Sequence, residues 1–234
     1  MLNSEILKQQ IDFLSFDQYG TIVDIQTGLV EFVTPFLIQK RWKGDPHRFV
    51  TWWRRVHFEN SMIDSLCDTE HTLYRVISGG AVSYVMDRAG IEFTAIEVET
   101  LVSAIERLRP FPEVPAALKR LAENYKMAIL SNGDRDMLEA AQAHIRFPFD
   151  ATISVQEAGY YKPHHRTYEV ASDILNTAPE RILHIANHVF DCIGAKAAGL
   201  KTAFINRHAR PFGQTRHQPD IMVKNISELV DLLT

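Results

Sequence analysis

Cysteine is scarce in this chain of 234 residues: Cys67 and Cys192 stand alone and far apart. Two distant cysteines make no disulfide framework, and reduced thiols in the cytoplasm are the expectation. No run of about 18 apolar residues occurs, which argues against a membrane-spanning helix. Residues Met1 to Gln10 lack the basic-then-apolar layout of a secretory signal. The 25 basic residues are scattered and the net charge is -4, so no nucleic-acid footprint is visible. Histidines are dispersed as well: His164, His165, His184, His208 and His217 show no metal-ligand spacing and read as surface or core polar residues. Repeats and low-complexity segments are missing. These absences leave a cytoplasmic globular protein with no membrane or nucleic-acid partner.

The chain does have enough apolar residues, 46%, to bury a full core. The run Ile11-Asp12-Phe13-Leu14-Ser15-Phe16-Asp17 reads as a buried parallel strand that ends on an acid, with Gln18-Tyr19-Gly20-Thr21 as the following loop. From Thr27 to Arg109 the apolar spacing is helical, as in Leu29, Val30, Val33 and Leu37. Pro35 is expected to kink the chain or start a turn, and Gly79-Gly80 and Arg88-Ala89-Gly90 to break one helix from the next.

After Pro112 the pattern alternates. Helices over Pro115–Glu123, Asp136–His144, Arg166–Leu175 and Asp191–Gly199 interleave with strands over Lys126–Leu130, Ala151–Val155, Arg181–Ile185 and Thr202–Ile205. A short strand Ile221–Val223 and a helix Ile226–Leu233 close the chain. Such alternation predicts an α/β fold, a Rossmann-like parallel sheet core with an inserted helical cap. The predicted core is 1–22 with 111–234, and the cap 23–110.

Ligands bind beyond the carboxyl ends of parallel strands. The residues there are Asp17, Tyr19 and Thr21 after the first strand, Ser131, Asn132 and Asp134 after the second, Lys162 after the third, and Asn187, His188 and Asp191 after the fourth. A carboxylate, a hydroxyl–amide pair, a lysine and a second carboxylate at one edge form a combination far more specific than any member.

In this order, Phe16-Asp17-Gln18-Tyr19-Gly20-Thr21, Leu130-Ser131-Asn132-Gly133, Tyr161-Lys162-Pro163 and Asn187 to Asp191 resemble the motifs of the haloacid dehalogenase superfamily. Tyr19, Tyr168 five residues after Pro163, and the Trp53-Arg54 pair resemble the L-2-haloacid dehalogenases in particular. The resemblance implies a catalytic set of Asp17, Lys162, Asp191, Thr21 and Ser131. It implies Arg54 and Asn132 as holders of the departing halide, Ser131 and the amides near Tyr19 as holders of the substrate carboxylate, and Tyr168, Asn187, His188 and Phe190 at the substrate. The chain departs from the family pattern where Ala186 replaces a serine and His188 an asparagine. Arg55 is an adjacent rival to Arg54, and with Phe58 it takes a position that lines the pocket.

The expected reaction is attack by Asp17 on the carbon bearing the halogen, followed by hydrolysis of the ester. Lys162 is expected to keep Asp17 ionised, and Asp191 to act as base for the water. No metal and no cofactor are expected: Tyr19 stands where the superfamily's phosphatases carry an aspartate, and Ala186-Asn187 where they carry Gly-Asp. The partner is a small haloacid, and a homodimer is one expectation because the family is often dimeric. The rivals are a magnesium-dependent phosphatase, displacement of another leaving group such as opening of a strained cyclic amino acid, and a non-catalytic module that binds small acids.

Overall fold

The computed structural model describes residues 8–67 and 70–234; the reading of the N-terminal stretch lies mostly outside them. Its centre is a six-stranded, wholly parallel sheet in the order β3-β2-β1-β4-β5-β6. The strands are β1 (Phe13–Phe16), β2 (Lys126–Ser131), β3 (Ala151–Ser154), β4 (Ile182–Ala186), β5 (Lys201–Ile205) and β6 (Ile221–Val223). Continuous apolar runs form them because both faces are covered, and every residue of β1 and β4 is buried. Helices α5 (Val114–Leu121), α6 (Arg135–Ile145), α7 (His165–Leu175), α8 (Val189–Ala197) and α9 (Ile226–Leu233) alternate with the strands. The fold is α/β, as the alternation predicts.

Between β1 and α5 the described residues form four helices, α1 (Ile25–Gln39), α2 (Pro46–Cys67), α3 (Tyr74–Arg88) and α4 (Ala95–Ser103), and a short 3-10 turn over Ala104–Arg107. Neither Pro35 nor Gly79-Gly80 ends a helix here. Helix α1 runs through Pro35; the ring removes one donor, while Leu29, Val33 and Leu37 stay buried along one stripe. Helix α3 likewise runs through Gly79 and Gly80. The cost of a helical glycine, about 1 kcal/mol, is outweighed by packing on the residues around it: Ile77, Ser78, Ala81 and Val82 are buried. The break at Arg88-Ala89-Gly90 is real, with Gly90 at φ +66° just past the helix end.

One continuous apolar core joins the helices to one sheet face, from Leu29, Leu101 and Ile105 to Leu14, Phe16, Ile129 and Ile185. A second core on the opposite face gathers Phe13, Leu130, Tyr168, Ile182 and Ala195. Strand β1 is central: its two neighbours, β2 and β4, are reached by connections that go opposite ways. That reversal opens a crevice at the carboxyl end of β1, where Asp17 follows the last strand residue. Among the described residues no helix is long and apolar enough to cross a membrane, and Cys67 and Cys192 are free thiols.

Candidate active site

Asp17 leaves β1 with its backbone N–H bonded to the Ile185 carbonyl at 3.0 Å, so the sheet fixes its direction. The chain then turns tightly. Gly20 sits at φ +87°, its N–H donates to Val23 at 2.8 Å, and Thr21 is brought back over Asp17. The Thr21 hydroxyl donates to Asp17 Oδ2 at 2.9 Å and accepts the Asn187 N–H at 2.9 Å.

Lys162 is 2% exposed. Its Nζ lies 2.8 Å from Asp191 Oδ2 and 3.3 Å from Asp17 Oδ1, and so bridges the two carboxylates. Its backbone N–H donates to Asn132 Oδ1 at 3.0 Å, which ties the loop to the end of β2. Burial works against ionisation of both carboxyls but is outweighed. Lys162 and His188 hold Asp17 below the usual carboxylate range, and His184 and Lys162 hold Asp191 well below it.

Asp191 is engaged on both oxygens. Its Oδ1 accepts from the Tyr168 hydroxyl at 2.7 Å and lies 3.0 Å from His184 Nε2, while Oδ2 takes Lys162. Gly194 makes this possible, because a Cβ there would meet the Tyr168 hydroxyl at 2.7 Å. Ser15, the register partner of His184 on β4, holds the other ring nitrogen at 3.1 Å.

The helices cover this edge with a different kind of surface. Arg54 on α2 is half-buried, bonded through one amino group to Gln26 at 2.9 Å, while its Nε has no partner among the described residues. Burial lowers its pKa, with the charge of Asp17 acting the other way. His57 is buried and pushed down to about 3 by burial and by the Arg54 charge, so the ring is neutral. The Tyr19 ring stacks on Tyr74 at 5.7 Å, and its buried hydroxyl and that of Ser131 lack partners among the described residues. Phe58, Phe190 and His188 form an aromatic rim, with Phe58 5.3 Å from His188 and 5.5 Å from Phe190. Asp134 anchors the cover: its carboxylate accepts the Tyr74 N–H at 2.7 Å and the Arg75 Nε at 2.8 Å. It thereby caps helix α3, whose N-cap residue Leu73 makes no side-chain cap.

The model of the haloacid dehalogenase-like hydrolase family matches residues 11–199. The (S)-2-haloacid dehalogenase of Pseudomonas sp. (strain YL) is 30% identical over 222 residues, spanning 94% of this chain and 93% of that one. The chain belongs to the haloacid dehalogenase-like hydrolase family. Another relative of this hydrolase, the (S)-2-haloacid dehalogenase of Xanthobacter autotrophicus, is 32% identical over 194 residues, which are 82% of this chain and 74% of that one. The structure of L-2-haloacid dehalogenase from Xanthobacter autotrophicus with chloropropionic acid covalently bound aligns with a TM-score of 0.85 at 27% identity, covering 95% and 98% of the two chains.

Within this dehalogenase-like hydrolase the sheet edge brings Asp17, Thr21, Ser131, Asn132, Lys162, His188 and Asp191 together. Arg54 faces inward, whereas Arg55 is exposed on an ion pair with Glu59 at 2.8 Å and does not line the pocket. Two expected roles need correction. Tyr168 is fully buried with its hydroxyl on Asp191, so it props that carboxylate and does not meet substrate. The Asn187 side-chain amide donates to the Ile205 carbonyl at 2.6 Å, so it braces β5.

Sequence reading gave His184 only as a surface or core polar residue; it lies fully buried at the centre of the network, a part the reading missed. The available signal was a histidine inside the apolar strand Ile182–Ala186, opposite Ser15 on β1. It also missed the neutral pair His57 and Tyr74 on the cover, for which the sequence gives no signal beyond helical spacing.

Proposed function

We propose that this chain dehalogenates short 2-haloalkanoic acids by hydrolysis, with inversion at the carbon, through an ester formed on Asp17 and without a metal ion. One observation carries the reading: a buried carboxylate, kept ionised by Lys162 and pinned by Thr21, at the mouth of the switch-point crevice. The covalent chloropropionate complex of the Xanthobacter autotrophicus enzyme supports it by similarity.

Asp17 attacks the halogen-bearing carbon from behind, and the halide leaves with the bonding pair. Arg54 receives the halide with its uncommitted Nε–H, beside the amide of Asn132. The substrate carboxylate lies on the backbone amides after Asp17 and the Ser131 hydroxyl. The unpartnered buried hydroxyls of Tyr19 and Ser131 support this reading, since buried polar atoms ordinarily have partners.

The residues do not suit a magnesium ion, which favours an octahedral set of oxygens. Lys162 stands between the two carboxylates, Asp191 has both oxygens engaged, and Asn187 is turned to Ile205. Among the described residues no cluster of three or more His, Cys, Asp or Glu is arranged to hold a metal. The test is chloride release from (S)-2-chloropropionate with EDTA present. The expected result is unchanged release of chloride, formation of the (R)-2-hydroxy acid and no hydrolysis of an aryl phosphate. Phosphatase activity that EDTA abolishes contradicts the proposal.

A further inference from the structure

We propose that His184 is a positioning residue for the second half of the reaction: from inside the sheet it holds the Asp191 carboxylate so that Oδ2 meets the water that hydrolyses the Asp17 ester. This role rests on the dehalogenase reading above, with Asp191 as the base, and adds to it the residue that sets the base's direction.

Strand β4 runs Ile182-Leu183-His184-Ile185-Ala186 and is buried throughout, with His184 its one polar side chain. An apolar residue would pack there without loss of hydration, whereas a buried imidazole needs a partner for each nitrogen. His184 has both. Its Nδ1 lies 3.1 Å from the hydroxyl of Ser15, itself 1% exposed on β1, and its Nε2 lies 3.0 Å from Asp191 Oδ1. Nε2 faces a carboxylate oxygen and is therefore the donor of that bond. Lys162 Nζ, 3.5 Å from the same nitrogen, has Asp191 and Asp17 as its nearer acceptors. The strand then ends on Ala186, where the family pattern has a serine. The Ala186 side chain packs with Cys192, Phe204 and Phe212 and brings no hydroxyl to this edge. What β4 donates to Asp191 comes from His184.

The division of donors over the carboxylate decides which oxygen can work. Each carboxylate oxygen has two lone pairs. Oδ1 takes both the Tyr168 hydroxyl at 2.7 Å and His184 Nε2 at 3.0 Å, while Oδ2 takes Lys162 at 2.8 Å. Oδ2 is thus the oxygen with a lone pair left for a water proton, and through Lys162 it is the one linked to Asp17. Tyr168 does not fix Oδ1 alone, because the Asp191 backbone carbonyl shares its proton at 3.2 Å. His184 supplies the second donor, from β4 where Tyr168 comes from α7. Two donors from two elements stop the carboxylate from turning about its last bond.

In the hydrolysis, the water oxygen bonds to the Asp17 carbonyl carbon as one water proton passes to Asp191 Oδ2. The bond between that carbon and the ester oxygen breaks, and its electron pair leaves on the hydroxy-acid oxygen. Asp191 returns its proton to that oxygen, and Asp17, regenerated as the acid, loses its proton to solvent. With the halide from the first step, the products are the hydroxy acid, halide and one proton. His184 exchanges no proton here; it keeps Oδ1 occupied. Displacement of the halide uses Asp17, Lys162 and Arg54 but not Asp191, so loss of His184 separates the two steps.

The experiment is a single turnover of (S)-2-chloropropionate with excess enzyme, quenched in acid. Chloride, hydroxy acid and the mass of the Asp17 peptide are followed together in the wild type, His184→Phe, His184→Gln and Ser15→Ala. In His184→Phe a chloride burst should persist, which also reports that the protein is folded. Formation of hydroxy acid should slow by about 10- to 100-fold, and the Asp17 peptide should carry the mass of the ester. His184→Gln, whose amide can still donate to Oδ1, should recover most of the hydrolysis rate. Ser15→Ala, which unpins the ring but leaves it in place, should show the same imbalance in smaller measure, and it carries the test if His184→Phe does not fold. Ester hydrolysis at the wild-type rate in His184→Phe overturns the assignment, as does equal slowing of chloride and hydroxy acid with no ester retained. Absence of chloride from the wild type instead defeats the dehalogenase reading, and the role of His184 with it.

Discussion

At the sheet edge, Lys162, Asp191, Tyr168 and His184 satisfy one another completely. Across the crevice, Arg54 Nε and His57 Nδ1 have no partner among the described residues, and the hydroxyls of Tyr19 and Ser131 between the two regions have none either. The first region is finished machinery, which holds charge in place before any substrate arrives. The second has open polar groups, which the proposed haloacid would engage. The contrast assigns stability to the sheet edge and recognition to the cover, and variants can separate the two.

The largest effect on stability should come from Lys162→Met. Two buried carboxylates would be left without their cation, a change expected to cost about 3–5 kcal/mol, read from urea unfolding. A loss under about 1 kcal/mol would break the comparison at its stronger side. The pH dependence sharpens it. Asp17 and Asp191 titrate below their ordinary values in the folded protein, so they bind fewer protons folded than unfolded. Their stabilisation is full above about pH 4 and drains away as the pH falls further. In Lys162→Met this acid-side loss should shrink or reverse.

Next in size is Arg54→Lys, which keeps the charge but loses the guanidinium Nε–H. Turnover of chloropropionate should fall on the order of 100-fold with little change in unfolding, whereas Arg55→Ala on the exposed side should leave both within about 0.5 kcal/mol of wild type. A smaller effect is expected from Asp134→Ala. It removes the cap that the sheet supplies to α3, at about 1 kcal/mol, and loosens Tyr74 against Tyr19. That variant should raise KM for chloropropionate more than it lowers kcat, because it disturbs the cover and not the carboxylates.

The sheet was legible because buried parallel strands are short apolar runs bounded by polar residues. Ile221–Val223 and Ile226–Leu233 match the predicted limits, and the others differ by a residue or two. The residues at the strand ends were legible for the same reason. What alternation cannot give is where a side chain turns after the strand stops. Tyr168 and Asn187 were therefore read as substrate contacts, although one props Asp191 and the other bonds Ile205. His184 was invisible because its meaning depends on the register between β1 and β4, a contact 169 residues apart. Gly79-Gly80 misled because local propensity argues for a break, while the packed face of α3 keeps the helix whole.

The most direct test of the covalent role of Asp17 is one turnover of (S)-2-chloropropionate in heavy-oxygen water with the enzyme in excess. The account predicts that the label enters the Asp17 carboxyl group while the first hydroxy acid formed carries none. Label appearing at once in the hydroxy acid, with Asp17 unlabelled, would mean that water attacks the substrate directly and would contradict it.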